Sequence, residues 1–243
     1  RKERVSYLES ARRLTQWKKQ GDLGFLSEVS SVPLQQALRH LQTAYVRFFN
    51  HGAGYPRFKC KRNGGTVTFT SVGFRWKPSR LQLAKMDAPL SVVWTREVPC
   101  EPTTVAVSID AAGRWHVALQ CHVRREPWAR AQEAVGVDLG ITSLVTLSTG
   151  EKITNPKYGD VDRRRLKLAQ RALARKEKGS NNRQKARIRA GRIHARIADR
   201  RRDMLHKLTT RLVRENQTIV VEDLSVSNMV KNRTLARSIS HAA

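Results

Sequence analysis

The spacing of hydrophobic positions changes along the chain, and the change divides it. Over residues 1–50 apolar side chains recur every three or four positions: Leu8, Ala11 and Leu14, then Leu34, Leu38, Leu41, Tyr45 and Phe48. That spacing predicts amphipathic helices whose stripes pack as core. Ser6 followed by Glu9 has the spacing of a capping box, and Ser31 ahead of Pro33 predicts a second helix start.

From Tyr55 to Val123 the period shortens to two. Alternation runs through Thr66 to Val72 and through Leu81 and Leu83. It returns in Val105, Val107 and Ile109, and in Trp115, Val117 and Leu119 on the far side of a turn at Asp110 to Gly113. Several short strands at this spacing predict a small barrel or sandwich. The polar stretch Arg124 to Gln132, with Pro127 inside it, marks a boundary. Beyond it, Ala134 to Ile141 and Leu144 to Ser148 predict the first hairpin of an α/β domain, with a third strand near Ile153. Two helices separated at Gly179 to Asn182 follow, the second carrying Ile193, Ile197, Leu205, Leu208 and Leu212 as its stripe. Thr218 to Leu224 then reads as a strand of the buried type ending in two acids. The expected organisation is a helical segment 1–54, a small β-barrel 55–128 and an α/β domain 129–243.

Charge changes the picture. The 243 residues hold 47 Lys and Arg against 20 Asp and Glu, a net charge of +27. Such a surplus repels itself unless a polyanion neutralises it, which points to nucleic acid. Residues 163–202 alone contain 17 bases and two acids, a local charge of +15. Solvated faces are normally mixed in sign, so this run is expected to be a phosphate-backbone track. Its candidate contacts are Arg163, Arg164, Arg165, Lys167, Arg171, Arg175, Lys176, Arg183, Lys185, Arg187, Arg189, Arg192 and Arg196. A second set interleaves aromatic and basic side chains: Tyr55, Arg57, Phe58, Lys59, Lys61, Arg62 and Arg75, with Phe69, Phe74, Trp76 and Lys77 beside them. These either stack on bases or form barrel core with a charged rim.

No stretch approaches the roughly 18 apolar residues a membrane span needs, and Cys60, Cys100 and Cys121 have no metal-binding or disulfide-framework spacing. A soluble, cytoplasmic protein is expected, with no zinc site within these residues. The chain starts at Arg1, not Met, and ends after a basic, Ser-rich run, so a fragment of something longer is expected.

Two predicted strands end in carboxylates, Asp138 and Glu222. As neighbours in one sheet they would emerge at one edge. Hard oxygen ligands on a rigid edge suit Mg²⁺ or Mn²⁺, and metal ions so held activate water and stabilise a leaving phosphate oxygen. Gly140 would let the backbone turn tightly beside them.

Gly136-Val137-Asp138-Leu139-Gly140-Ile141 and Val220-Val221-Glu222-Asp223-Leu224, separated by the basic helical pair, resemble the first two RuvC motifs of the TnpB family. These are RNA-guided DNA nucleases of insertion sequences, often labelled transposases and related to type V CRISPR effectors. Tyr55-Pro56-Arg57-Phe58-Lys59 and the strands after it resemble that family's wedge barrel, and residues 1–50 its helical recognition lobe. The resemblance implies an RNase H fold with catalytic, metal-binding Asp138 and Glu222, a Mg²⁺ or Mn²⁺ cofactor, and guide RNA and target DNA as partners in a prokaryotic cytoplasm. The family's third acid and its four-cysteine zinc ribbon have no counterpart in the sequence, so these residues alone are expected to bind nucleic acid and to cleave poorly or not at all.

Other readings compete. A nuclease-inactive nucleic-acid-binding protein or RNA-guided repressor needs the same charge without the chemistry. An actin-like ATPase shares the Asp-Leu-Gly turn but needs a second glycine loop, and no glycine follows Gly191. A structural RNA-binding protein would leave the two carboxylate strands unexplained.

Overall fold

The computed structural model describes residues 5–58, 65–124 and 133–242. The chain divides into two units, Arg1–Arg125 and Glu126–Ala243.

The first unit opens with α1 (Tyr7–Trp17), a short α2 (Phe25–Glu28) and the long α3 (Ser31–His51). Ser6 caps α1, its hydroxyl accepting the Glu9 N–H at 3.2 Å. The cap of α3 is Ser30, one residue before the expected start: its hydroxyl accepts the Val32 N–H, while Ser31 accepts Lys18 Nζ at 2.6 Å. Pro33 still falls in the first turn, where no N–H is needed. The α3 stripe is thinner than its spacing suggests, since Leu41 remains 47% exposed.

Strands β1 (Gly65–Thr70), β4 (Thr104–Ile109) and β5 (Trp115–Gln120) form one antiparallel sheet in the order β1-β4-β5. β2 (Phe74–Lys77) and β3 (Arg80–Leu83) form a separate hairpin. Phe69, Phe74, Leu81, Leu83 and Val105 make the core of this unit, so Phe69 and Phe74 are not available to stack on bases. No closed barrel exists among the described residues. The segment between β3 and β4 carries Pro89, Pro99 and Pro102, which lack the N–H a ladder requires, and contributes no strand. The β4–β5 turn is held by Asp110, whose carboxylate accepts from the Ala112 and Arg114 N–H groups, both at 2.9 Å, and Gly113 supplies the positive φ of 78°.

In the second unit β6 (Ala134–Leu139), β7 (Ser143–Leu147), β8 (Lys152–Thr154) and β9 (Thr218–Val221) form a mixed sheet in the order β8-β7-β6-β9, with β6 and β9 parallel. Between β8 and β9 come α4 (Tyr158–Val161), α5 (Arg163–Ala174) and the 35-residue α6 (Asn181–Glu215); α7 (Val226–Met229) and α8 (Ala236–Ala242) follow. One face of the sheet buries Val135, Val137, Val145 and Leu147 against Leu205, Leu208 and Leu212 of α6. The buried reading of the last strand is corrected. Val220 and Val221 are 62% and 61% exposed: β9 is an edge strand, and of its residues only Ile219 packs against the core that α6 covers.

Candidate metal site and nucleic-acid face

Asp138 lies near the end of β6, and Glu222 is the first residue after β9. The parallel register pairs Val137 with Val221, the residues immediately before Asp138 and Glu222, so the two acids follow the last paired position of neighbouring strands. Side chains alternate across a strand, so Val135 and Val137 enter the core while Asp138 and Glu222 share the opposite, open face. Both line a shallow depression of about 360 Å³ with Gly136, Thr146, Ser148 and Val220. Its floor is rigid: Gly136 N–H donates to Ser148 Oγ at 3.0 Å, and Ser148 N–H donates to the Gly136 carbonyl at 2.9 Å. Thr146 stands opposite Asp138 on β7. Sequence reading passed over it, although the β6–β7 register, once known, puts Thr146 and Ser148 on the carboxylate face.

The turn after Asp138 needs Gly140. A Cβ there would meet the Ser143 carbonyl oxygen at 2.7 Å. Asn155 braces the same loop, its side-chain amide donating to the Ile141 carbonyl at 3.2 Å.

Among the described residues neither the Asp138 nor the Glu222 carboxylate has a hydrogen-bond or ion-pair partner. In a chain with 47 basic residues that is a specific arrangement. Two like charges side by side, left unneutralised by any described Lys or Arg, favour a divalent cation. The pair fits Mg²⁺ or Mn²⁺, which takes one or two carboxylates and completes its shell with water and phosphate oxygens. Among the described residues no group of three or more His, Cys, Asp or Glu could hold a metal.

The basic run folds as a helical hairpin in which α5 packs along α6. Arg163, Arg164, Arg165, Lys167, Arg171, Arg175, Lys176, Lys185, Arg189, Arg192 and Arg196 are exposed. Lys185, Arg189, Arg192 and Arg196 follow steps of four, three and four, so they form one stripe on a single face of α6. Three bases do structural work. Arg183 is half-buried, its Nη1 donating to the carbonyls of Leu173 at 3.1 Å and Lys176 at 2.8 Å, which caps the end of α5. Arg200 reaches the buried Asp162 at 3.4 Å, as does Arg165 from the other side, tying the start of α5 to α6. Arg187 is half-buried as well.

In the first unit Arg57 and Arg75 are exposed, and Phe58 is fully so. Tyr55 joins an aromatic knot at the end of α3, its hydroxyl 3.2 Å from that of Tyr45 and its ring edge-on to Phe48 at 5.4 Å, with 64% of the residue exposed. Lys59, Lys61 and Arg62 lie outside the described residues.

Comparison with known proteins bears on the same residues. Residues 116–233, which contain Asp138, Glu222 and the basic hairpin, match the profile of the OrfB family of IS605-type elements, described as "Probable transposase". Over 243 residues the chain is 58% identical to a Streptomyces pristinaespiralis protein named "Putative RNA-guided DNA endonuclease", covering 99% of this chain and 60% of that relative. It is 34% identical over 235 residues to the Escherichia coli K12 protein named "Putative RNA-guided DNA endonuclease InsQ", covering 94% of this chain and 57% of that relative. The chain therefore spans somewhat over half the length of these relatives. The two carboxylate strands and the basic hairpin between them lead to one statement: residues 116–233 belong to the OrfB family of IS605-type insertion sequences, within a chain similar over nearly its whole length to proteins named as RNA-guided DNA endonucleases.

Proposed function

We propose that this chain is the guide- and DNA-holding part, with two of the metal ligands, of an RNA-guided, metal-dependent DNA endonuclease of a transposable element. The observation that carries the reading is the placement of Asp138 and Glu222 at one level of neighbouring parallel strands, unpaired and opening into one depression. The names of its relatives supply the substrate class. In this reading the mixed sheet is a RuvC-like, RNase H-type core, the two small sheets belong to a wedge-like domain, and the protein acts at the chromosome in a prokaryotic cytoplasm.

Each part has a physical role. The exposed bases of α5 and α6 neutralise backbone phosphates and hold the strand. Gly140 keeps the loop after Asp138 compact, and the Gly136–Ser148 hydrogen bonds fix the strand under the carboxylates. Asp138 and Glu222 would hold Mg²⁺ or Mn²⁺, which supplies water activation and charge stabilisation at the scissile phosphate.

The two described carboxylates also favour a second reading for this chain by itself: it binds guide RNA and target DNA without cutting, as a repressor would. Two measurements test both. Mn²⁺ binding followed by electron paramagnetic resonance should be present in the 243-residue chain and lost in Asp138→Asn and Glu222→Gln; equal binding in all three refutes the site. With guide RNA and Mg²⁺ supplied, the same chain should retain target DNA and leave it intact. Robust cutting that Asp138→Ala abolishes would sink the binding-only reading and leave the nuclease assignment standing.

A further inference from the structure

A cleft of about 530 Å³ in the first unit lies between the β2–β3 hairpin and the segment that follows it, lined by Trp76, Pro78, Ser79, Trp94, Arg96 and Glu97 among others. Its volume falls within the range of about 300–1,000 Å³ typical of small-ligand sites. The two indoles meet edge to face at 5.4 Å and 75°, and both are only half-buried. Each rests on the core formed by Phe74, Leu81 and Leu83 and keeps part of its surface towards the cleft. Their orientation is held in place. Trp94 Nε1 donates to the Ser79 carbonyl at 3.0 Å, and Ser79 takes a left-handed φ of 58° in the two-residue Pro78–Ser79 turn. With its one polar hydrogen already used, the Trp94 ring offers the cleft only its π surface.

The rim carries the complementary chemistry. Arg96 lines the cleft and is exposed. Glu97 lines it too and can accept from the N–H edge of a ring. Arg75, Lys77 and Arg80, on the same hairpin, are exposed as well. An aromatic platform with a cation on the same cleft, in a chain of +27, matches an unpaired nucleobase with its phosphate. A purely apolar ligand would leave Arg96 and Glu97 without a role, and an anion without a ring would leave the indoles without one.

We infer that the Trp76–Trp94 cleft is a stacking site for one unpaired nucleotide, with Trp94 as the platform and Arg96 on the phosphate. The inference rests on the nucleic-acid reading proposed above and adds a base-reading contact outside the carboxylate face and the basic hairpin.

The test uses the whole chain with labelled twelve-residue oligomers: uridine, thymidine and an abasic strand of the same length. Trp94→Ala should weaken binding of a base-bearing oligomer by roughly 5- to 150-fold, the span of one stacked base, and leave the abasic strand unaffected. The larger loss, in uridine or in thymidine, names the strand. Arg96→Gln should flatten the salt dependence for all three by about one phosphate. Trp94→Phe keeps the core rim filled, so it reads the site even if Trp94→Ala unfolds: the quench of intrinsic fluorescence by the base-bearing oligomers should shrink in that variant. Equal losses on base-bearing and abasic strands, or an unchanged quench in Trp94→Phe, overturn the stacking site while the nucleic-acid reading survives. A wild-type chain that binds none of the oligomers overturns both.

Discussion

Replacing Lys185, Arg189, Arg192 and Arg196 together with glutamine removes the whole exposed stripe of α6 and touches no residue that the fold uses as a clamp. The first and last of the four are eleven residues apart, about 17 Å at the rise of an α-helix. Double-stranded DNA presents a charge about every 1.7 Å along its axis, so each of the four can meet its own phosphate. Each phosphate neutralised contributes about 0.9 to the slope of log affinity against log salt on duplex, so the stripe is worth about 3.6. Between about 50 and 200 mM salt that slope amounts to roughly a 150-fold change in affinity, which the variant should no longer show. On single strands the corresponding figures are a slope of about 2.8 and roughly a 50-fold change. Fluorescence anisotropy at several salt concentrations measures both. A variant whose affinity falls while its salt slope stays at the wild-type value would refute the reasoning, because the loss would then come from the fold and not from released counterions.

Arg183→Gln is the structural counterpart: with the carbonyls of Leu173 and Lys176 at the end of α5 left without it, the protein should lose about 1–3 kcal/mol, read as an earlier urea midpoint, while its salt slope stays at the wild-type value. Asp110 gives a pH dependence. Burial works to raise its carboxyl pKa, but hydrogen bonds from the Arg114 N–H and guanidinium, His116 and the Ala112 N–H outweigh burial and hold it at about 2. A depressed carboxyl stabilises the fold above the unfolded value and is lost as acid protonates it, so the urea midpoint should drop from about pH 4 towards pH 2. In Asp110→Asn that part of the acid sensitivity should vanish, and identical pH profiles for the two proteins would contradict the turn's role.

Where local chemistry decides the structure, it could be read early. Ser6 and Glu9 mark α1, the Asp110 to Gly113 turn separates two strands, and Gly179 and Ser180 divide the basic run, all from neighbours within a few residues. The partnership of Asp138 with Glu222 was legible for another reason: two strands at either end of a long helical crossover tend to pair in parallel, which brings their ends level. What depends on distant neighbours was not legible. Val220 and Val221 look like core from composition, yet β9 lies at the edge of the sheet, where only Ile219 packs against the core. Arg183 looks like any other base of the run until the carbonyls of Leu173 and Lys176 are seen beside it. Trp94 lies 18 residues from Trp76 along a proline-interrupted segment whose path no periodicity reports.

β9 has a consequence for how the protein must be handled. Its outer edge pairs with nothing among the described residues, and two exposed valines flank that row of open amide groups. Such a margin is a template for a second strand, and natural proteins commonly guard it with charge. Here the guard is the repulsion between copies that each carry +27, and repulsion at that range is screened within about 10 Å at 0.1 M salt. If the chain holds nucleic acid as proposed, added salt therefore acts twice, releasing it and lowering the barrier that keeps these strands from adding to one another. Bound polyanion lowers the same barrier by cancelling the charge, so crowding of copies along one nucleic acid, not free solution, is where strand addition between chains is most favoured.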